Sequence, residues 1–583
     1  CVLGHRRLAI LDLSSAGHQP MSTPDGRYWI TYNGEVYNYV EIAAELERLG
    51  HRFATRCDTE VLLRAYAHWG RECLPRLNGM FAFAIWDARE RRLLCARDRL
   101  GVKPFYYAVR DRRFRFASEP KALLVDGSLP RRPNEARVRE LLAFGLADHT
   151  EETLFEGLLQ LPPGTWLEVG DGRVGRPRVW WRPQPAREDA DLGALLADAV
   201  RLRLRSDVPV GTCLSGGLDS SSVVVLASAL RRAAGADPPL SFTARCLDPA
   251  LDEGGYVEAV VRRSSARNHT VVPSAADALA WTDWVVWQMD EPFHAASVVG
   301  QAKVMELARA HGVTVLLDGQ GGDEAFAGYH DLYPAFFWTL ARRGRLGAVA
   351  AELAARERLH GVGVPASLLQ VAKLLAPARL RGRTVPTWLR PERRPARRPL
   401  PGRSLGAQQR FGLAVSPLPA YLHHEDRNSM SFSLEARVPL LDYRVVELAL
   451  RTPPERLIRD GYAKWALREA LRAELPEEVA GRASKQGFTV EDAAWLRDGL
   501  GSRLVAELGS PDALVAEYLD GARLVAAVER AAEGGGGADA LWRAFTLERW
   551  LRVYVEPERL RPPPAPSALA RRAAAGGIRA AAD

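Results

Sequence analysis

The stretch SGGLDSS, residues 215–221, decides the fold of the second half of this chain. It follows an apolar stretch, VPVGTCL (208–214), and opens a segment of helical periodicity, 220–231. A strand, a glycine-rich turn and a helix in this order indicate a βαβ unit of a parallel sheet. Gly216 and Gly217 let a ligand approach the backbone, and the N–H groups at the helix start attract an anion. Because the loop lacks the ending of a Walker A motif, it predicts a phosphate site of another kind.

A second loop of similar character, DGQGGDE (318–324), follows the apolar stretch VTVLLD (313–318). Ligands of open parallel sheets bind beyond the carboxyl ends of the strands, so we expect the two loops to meet there. Asp219 and Asp323 could then share a Mg²⁺ ion with phosphate oxygens. The alternative is that Asp323 merely caps the next helix. Two such loops in one sheet favour the ligand role.

Composition predicts a globular protein of two or three domains, with 583 residues, 47% hydrophobic and 26% charged. The net charge of +8 is concentrated in residues 379–403, where prolines interrupt the arginines and no aromatic stacking pattern occurs. We interpret this stretch as a solvated insertion. The six cysteines form no CxxC pair, which argues against zinc and is typical of a reducing compartment. We therefore expect a cytoplasmic protein with small-molecule substrates and without nucleic-acid or membrane partners, and a homodimer stays an option.

The pattern of short elements changes along the chain and predicts two domains. Residues 1–185 read as short strands with a few helices, and YWITYNGEVY (28–37) predicts a strand that runs into a tight Asn33-Gly34 turn. Residues 186–555 begin with alternating strands and helices and become mostly helical after about 415. The remainder, 556–583, is a low-complexity tail that we expect to be disordered.

Four stretches of the second half together resemble one family. SGGLDSS, DEPFHAAS (290–297), VLLDGQGGDEAFAGY (315–329) and NSMSFSLEARVPLLDYR (428–444) are similar to the PP-loop domain of glutamine-dependent asparagine synthetases of the bacterial B type. The resemblance implies an α/β parallel-sheet domain with a helical C-terminal part. It also implies that ATP converts aspartate to β-aspartyl-AMP with release of pyrophosphate, and that ammonia then gives asparagine. The ATP site implied by the family comprises Leu214, Ser215, Gly216, Gly217, Leu218, Asp219, Ser220, Ala244, Asp318 and Gly319.

Two further positions carry chemistry by this resemblance. RASKQGF (482–488) matches a late family motif in which Lys485 would stabilise charge that develops on the phosphates. Gln320 stands where many members have an acidic residue that is implicated in forming the acyl adenylate and in its attack by ammonia. Glutamine can form hydrogen bonds but cannot act as a carboxylate base. Either the enzyme manages without that base, or its amine step differs.

Residues 2–119 resemble the class II glutamine amidotransferase domain, an α+β sandwich of the N-terminal-nucleophile type. The similarity is carried by LGHRRLAILDLS (3–14), YNGEVYNY (32–39), CDTEVLL (57–63), LNGMFAFAIWD (77–87) and ARDRLGVKPFYY (96–107). It implies that Arg7 binds the α-carboxylate of glutamine and that Glu35 and Asp58 hold the α-ammonium group. Asn33 and the N–H group of Gly34 would form the oxyanion hole. Taken singly, Asp58 could be a helix N-cap and Asn33-Gly34 a plain turn.

The nucleophile of that fold is a cysteine at the mature N-terminus, whose own α-amine serves as the base. In the family this cysteine precedes Gly-Ile, and LGHRRL comes several dozen residues later. Here Cys1 is adjacent to Val2 and LGHRR. We therefore interpret the chain as truncated at its N-terminus, with the nucleophile absent, and expect that it does not hydrolyse glutamine.

Two other functions stay open at the level of sequence. The first is formation of another amide on the same scaffold, with a β-lactam precursor, a peptide or a natural product as the acid. The second is a non-catalytic binding protein that uses its basic stretch. The presence of Asp219, Asp323 and Lys485 argues against the second.

Overall fold

The computed structural model describes residues 1–377, 385–396, 398–484 and 490–566. The strands are β1 (Met21–Ser22), β2 (Tyr28–Val36), β3 (Gly79–Asp87), β4 (Arg92–Arg97), β5 (Tyr106–Arg110), β6 (Arg113–Ala117), β7 (Leu159–Gln160), β8 (Thr165–Gly170), β9 (Arg173–Val174), β10 (Arg178–Val179), β11 (Val210–Cys213), β12 (Leu240–Ala244), β13 (Arg267–Val271), β14 (Val315–Leu317), β15 (Glu435–Arg437), β16 (Ile458–Arg459) and β17 (Tyr462–Ala463).

The helices that accompany them are α1 (Tyr39–Arg48), α2 (Asp58–Trp69), α3 (Pro120–Leu124), α4 (Glu135–Phe144), α5 (Leu192–Arg203), α6 (Leu218–Ala233), α7 (Gly254–Ser264), α8 (Ala275–Met289), α9 (Ser297–Ala310), α10 (Gly322–Ala325), α11 (Tyr333–Arg342), α12 (Leu346–His360), α13 (Val364–Leu375), α14 (Leu405–Ala414), α15 (Leu418–Ser431), α16 (Tyr443–Arg451), α17 (Pro454–Leu457), α18 (Trp465–Ala470), α19 (Glu477–Ala480), α20 (Asp492–Trp495), α21 (Gly501–Leu508), α22 (Gly521–Ala532) and α23 (Ala538–Trp550).

The first part of the chain is an antiparallel sandwich. Its main sheet has the order β1-β2-β3-β4-β8-β10, with β9 paired to β8, and a smaller sheet has the order β6-β5-β7. Residues of β3 alternate between two cores, as a strand buried on both faces requires. Phe81 and Phe83 pack with helices α1 and α2, whereas Ala82 and Ala84 pack toward the smaller sheet. The predicted α+β sandwich is therefore present.

The predicted turn at Asn33-Gly34 is wrong, because β2 continues through both residues and pairs with β3 along its whole length. Gly34 has a φ of 149°, and a Cβ there would lie 2.1 Å from the carbonyl oxygen of Met80. Glycine is needed at this position for close approach to the neighbouring strand rather than for a change of direction.

The second part is a five-stranded parallel sheet of order β13-β12-β11-β14-β15. Strands β11 and β14 are neighbours, with Val210 opposite Val315, so the loops that follow them leave the same edge side by side. Helix α6 begins directly after the first of these loops. The parallel α/β domain and the meeting of the two loops are thus confirmed.

Helices α16 to α23 form most of the C-terminal part, as predicted, and the hairpin β16–β17 interrupts them. The described portion of the basic stretch packs onto this part. Trp388 and Leu389 are buried, and the guanidinium group of Arg390 donates to the carbonyl oxygen of Leu519 at 2.8 Å. Among the described residues, no helix combines the length and apolar character needed to cross a membrane.

A buried carboxylate, that of Asp442, joins the antiparallel sandwich to the parallel-sheet part. Asp442 accepts hydrogen bonds from Asn78 of the sandwich at 2.9 Å, from Arg203 at 3.0 Å and from Arg444 at 2.9 Å. Burial alone would raise the pKa of Asp442, but the two arginines hold it well below its usual range. The two parts are therefore fixed relative to one another by a satisfied, desolvated carboxylate.

Candidate active sites

A cavity of about 420 Å³ lies beyond the carboxyl ends of β11 and β14. Both loops predicted from the sequence line it, as open parallel sheets require. The predicted residues on its wall are Leu214, Ser215, Gly217, Leu218, Asp219, Ser220, Ala244, Asp318, Gly319, Gln320 and Asp323. Gly216 lies within the same loop, with a φ of +81°. Stretches that are far apart in the sequence therefore converge on one site.

Internal hydrogen bonds shape the SGGLDSS loop before any ligand binds. The hydroxyl group of Ser220 accepts a hydrogen bond from the backbone N–H of Ser215 at 3.1 Å and donates to the carbonyl oxygen of Gly217 at 3.2 Å. The N–H of Gly217 donates to the hydroxyl of Ser215 at 3.3 Å. The loop is thereby held open at the N-terminus of α6, where the helix dipole favours an anion such as a phosphate.

Two glycines allow the second loop to contact the first. A Cβ on Gly319 would lie 2.5 Å from the backbone nitrogen of Ser220, and one on Gly322 would lie 2.4 Å from Cγ of Asp219. Neither gap can hold a carbon atom, so a larger residue at 319 would push the loop backbones apart and one at 322 would displace the carboxylate of Asp219. These glycines bring Asp219 and Asp323 to the same point of the cavity.

Lys464 lies between these two aspartates. Its ammonium group is 2.7 Å from Asp323 and also contacts Asp219. Burial alone would lower the pKa of Lys464, but the two carboxylates raise it, so the side chain is charged. Lys464 precedes α18 in the left-handed region, with a φ of 55°, and the sequence analysis did not single it out.

Arginines from α18 and the segment after α19 complete the cationic wall. Arg468 donates to the carbonyl oxygens of Ala480 at 2.6 Å and Arg482 at 2.8 Å. Arg482 donates to the carbonyl oxygen of Gly216 at 3.2 Å and pairs with Glu253. Both arginines line the cavity. Lys485 lies outside the described residues, although the segment that leads to it is fixed at the cavity by these contacts.

A second cavity, of about 670 Å³, opens in the antiparallel sandwich. This glutamine-type cavity is lined by all five residues that the amidotransferase resemblance implies for glutamine: Arg7, Asn33, Gly34, Glu35 and Asp58. Arg7 is anchored by the carbonyl oxygens of Leu11 at 2.6 Å and Asp12 at 2.7 Å. The amide of Asn33 donates to the hydroxyl of Ser118 at 3.4 Å.

Two buried acids, Asp58 and Glu35, lie on the wall of this second cavity. Burial raises the pKa of Asp58 to about 6, even though Tyr32 OH at 2.7 Å and the N–H of Val36 at 2.9 Å donate to the carboxylate. Burial and then the charge of Asp58 raise the pKa of Glu35. The side chain of Asp58 is therefore directed to β2 and does not cap α2, where no side-chain cap bond occurs. A bound ammonium group would favour the ionised form of both acids.

The parallel sheet supplies a charge to this second cavity. Arg437 of β15 is fully buried, with a guanidinium nitrogen 3.4 Å from Glu35 and another 2.8 Å from Glu435. It also donates to the carbonyl oxygens of Arg203 and Arg205. Arg437 thus links a wall residue of the glutamine-type cavity to the edge strand of the parallel sheet. Cys1 is exposed and is not among the residues that line the cavity.

Comparison with known families assigns both parts of the chain. Residues 191–552 match the family model described as asparagine synthase, and residues 1–181 match the one described as glutamine amidotransferase domain. The chain belongs to the asparagine synthase family. Members of this family are ligases that use ATP as a substrate. This accords with the glycine-rich loop SGGLDSS at a helix N-terminus in the first cavity.

Several known proteins are similar to this chain over most of their length. "Asparagine synthetase [glutamine-hydrolyzing] 1" of Bacillus subtilis is 29% identical, and the match covers 95% of this chain and 90% of that protein. "Putative asparagine synthetase [glutamine-hydrolyzing]" of Mycobacterium tuberculosis is 32% identical over 95% of this chain and 89% of its own length. "Amidase chry2" of Gibberella zeae is 28% identical, and the match covers 83% of this chain and 80% of that protein.

Proposed function

We propose that this asparagine synthase family member activates a carboxylate with ATP, releases pyrophosphate and transfers ammonia, taken from glutamine or from solution, to the activated acyl group. The observation that supports this most directly is the meeting of SGGLDSS and DGQGGDE around Asp219, Asp323 and Lys464. We further propose a division into an amidotransferase domain, 1–185, and a PP-loop domain, 186–555.

The residues of the first cavity suit the adenylation step. The N–H groups at the start of α6 would hold the β- and γ-phosphates, and Lys464 and Arg482 would balance charge as pyrophosphate leaves. A carboxylate oxygen of the acid attacks the α-phosphorus, giving acyl-AMP and pyrophosphate. Ammonia then attacks the acyl carbon, giving the amide, AMP and a proton. Enclosure in the cavity would protect the acyl adenylate from water.

The donor set of the site fits a Mg²⁺ ion. Asp219 and Asp323 are neighbouring carboxylates beside a phosphate-type loop, and Mg²⁺ prefers one or two carboxylates together with phosphate oxygens. Bound there, the ion would neutralise charge on the phosphates. Lys464 keeps the two carboxylates compensated and close together.

Aspartate is our first candidate for the acid, since proteins similar over nearly the whole chain are named asparagine synthetases. A different carboxylate is the second candidate. Gln320 on the cavity wall in place of an acidic residue, and a relative named an amidase, favour it.

The test is pyrophosphate release with ATP and ammonium chloride over a panel of acids that includes aspartate. Release with aspartate and formation of asparagine would support the first candidate. Release with another acid alone would exclude asparagine as the product and keep amide synthesis. Absence of release with every acid would argue against the proposed function.

A further inference from the structure

Helix α15 forms a wall between the two cavities. We call the cavity that the two glycine-rich loops line the nucleotide-type cavity. Tyr421 and His424 line the nucleotide-type cavity, whereas Asp426, Arg427 and Met430 line the glutamine-type cavity. Residues three or four apart share one face of a helix, so α15 turns one face to each cavity.

Glu425 lies on the flank of this wall, four residues after Tyr421. Its side chain is buried, with 2% exposure, and neither carboxyl oxygen receives a hydrogen bond from the described residues. Its charge interacts with Asp318 of the nucleotide-type cavity, and with Asp426 and Lys103 of the glutamine-type cavity. Burial raises the pKa of Glu425 well above its usual range, and the two aspartates raise it further.

A buried carboxyl group without a partner lowers stability, so a native protein that keeps one has a reason outside folding. Glu425 interacts with two other acids, Asp318 and Asp426, and with one cation, Lys103, whose ammonium group lies 2.8 Å from Asp426 and is therefore already paired. The surroundings therefore favour a small additional cation with several N–H donors. Ammonium has this charge and these donors.

We propose that Glu425 is a binding site for ammonia at the wall between the two cavities. This inference depends on the proposed function, because it takes ammonia as the nitrogen that crosses. The neutral carboxyl group of Glu425 transfers its proton to ammonia and holds the resulting ammonium ion as an ion pair. The ion then returns the proton to Glu425, and free ammonia attacks the acyl adenylate in the neighbouring cavity. No proton is gained or lost in this transfer.

Ammonium binding can be measured without any turnover. We expect ammonium chloride to raise the melting temperature of the wild-type protein more than potassium chloride at the same ionic strength, because ligand binding stabilises the folded state. Glu425→Gln keeps the volume of the side chain but cannot exchange a proton. It should melt at a higher temperature than the wild type without ammonium and should not respond to ammonium specifically. Equal responses to potassium and ammonium in the wild type, or an unchanged ammonium response in the variant, would overturn the proposal.

Kinetics separate this proposal from the proposed function. With the acid that the wild type accepts, Glu425→Gln should raise KM for ammonia about ten-fold, the effect of one charge-assisted hydrogen bond, and leave KM for ATP unchanged. The matched control is Glu548→Gln, a fully buried glutamate that receives hydrogen bonds from Arg552 at 2.7 Å and the N–H of Val515 at 3.0 Å. It should melt at a lower temperature with KM for ammonia unchanged.

If the wild type forms an amide and Glu425→Gln has an unchanged KM for ammonia, the site is wrong while the function stands. If the wild type forms no amide with any acid, the function fails and the melting experiment still decides the site.

Discussion

The ammonium group of Lys464 lies 2.7 Å from Asp323 and bridges it to Asp219, so one lysine joins the two loops of the nucleotide-type cavity. Both carboxylates are largely desolvated, with 14% and 15% side-chain exposure. A buried charge costs little only when it is paired. Lys464 therefore keeps two acids together that would otherwise repel one another.

Replacement of Lys464 by methionine should destabilise the protein, because it leaves two neighbouring carboxylates without a counter-charge. We expect a loss of about 3 kcal/mol in the free energy of unfolding, measured by urea denaturation. Added Mg²⁺ should recover part of this loss in Lys464→Met and have little effect on the wild type. A loss below about 0.5 kcal/mol, the size of a surface change, would contradict the pairing.

Close contact between the two loops predicts that Gly319→Ala and Gly322→Ala disrupt the cavity. An added Cβ at 319 would lie 2.5 Å from the backbone nitrogen of Ser220 and force the loops apart, and one at 322 would lie 2.4 Å from Cγ of Asp219 and displace its carboxylate. ATP binding, measured by calorimetry, should weaken at least ~10-fold, which corresponds to about 1.4 kcal/mol. Gly255→Ala in helix α7 is the control, since nothing lies within 4 Å of its added Cβ. Equal affinities in all three variants would show that the loops do not need this contact.

Asp58 predicts opposite effects of pH on stability and on glutamine binding. Its pKa is raised in the folded state to about 6, from a usual value of 3.8, so the folded state binds more protons than the unfolded state between these values. The contribution of Asp58 to stability is therefore greatest below pH 3.8, falls as the pH rises toward 6, and is constant above that. Glutamine affinity should rise as the pH approaches 6 and level off above it, because the α-ammonium group needs the ionised carboxylate.

The measurement for Asp58 is calorimetric titration with glutamine between pH 5 and about 7.5, where the carboxyl group completes its ionisation. Asp58→Asn should weaken binding and remove the part of the pH dependence that is centred near pH 6. A wild-type affinity that does not change across the window would show that Asp58 takes no part in binding the ammonium group.

Cys1 lies at the surface, away from the residues that line the glutamine-type cavity. We therefore expect Cys1→Ala to have the same rate of amide formation with ammonia as the wild type. Glutamine-dependent activity that disappears in Cys1→Ala would show instead that Cys1 is the nucleophile. Ammonia-dependent turnover serves as the internal control for folding.

The two glycine-rich loops could be predicted from the sequence because their signal is local. Each follows an apolar strand and carries its own acidic residue, and neighbouring parallel strands place such loops together. The predicted turn at Asn33-Gly34 is wrong because the same two residues also suit a strand that needs close packing against Met80. Nothing within the dipeptide distinguishes these cases.

The charged residues that join distant segments could not be predicted from local patterns. Arg437 lies on a three-residue strand, and its pairing with Glu35 exists only after two sheets have packed together. In the sequence, Glu425 is one of two acids within HHEDR (423–427), and only its burial in the folded protein distinguishes it. Lys464 did leave a signal, because the chain has six lysines among 79 lysine and arginine residues. In a chain that otherwise uses arginine, a lysine indicates a position that needs a compact point charge.

Under the proposed function, the acid is activated when its carboxylate is joined to the α-phosphorus of ATP. The most direct test uses an accepted acid labelled with ¹⁸O in its carboxylate, together with ATP and ammonium, and mass spectrometry of the products. If an acyl adenylate forms, one ¹⁸O atom must appear in AMP and none in pyrophosphate. Label in inorganic phosphate with formation of ADP, or AMP without label, would contradict the account.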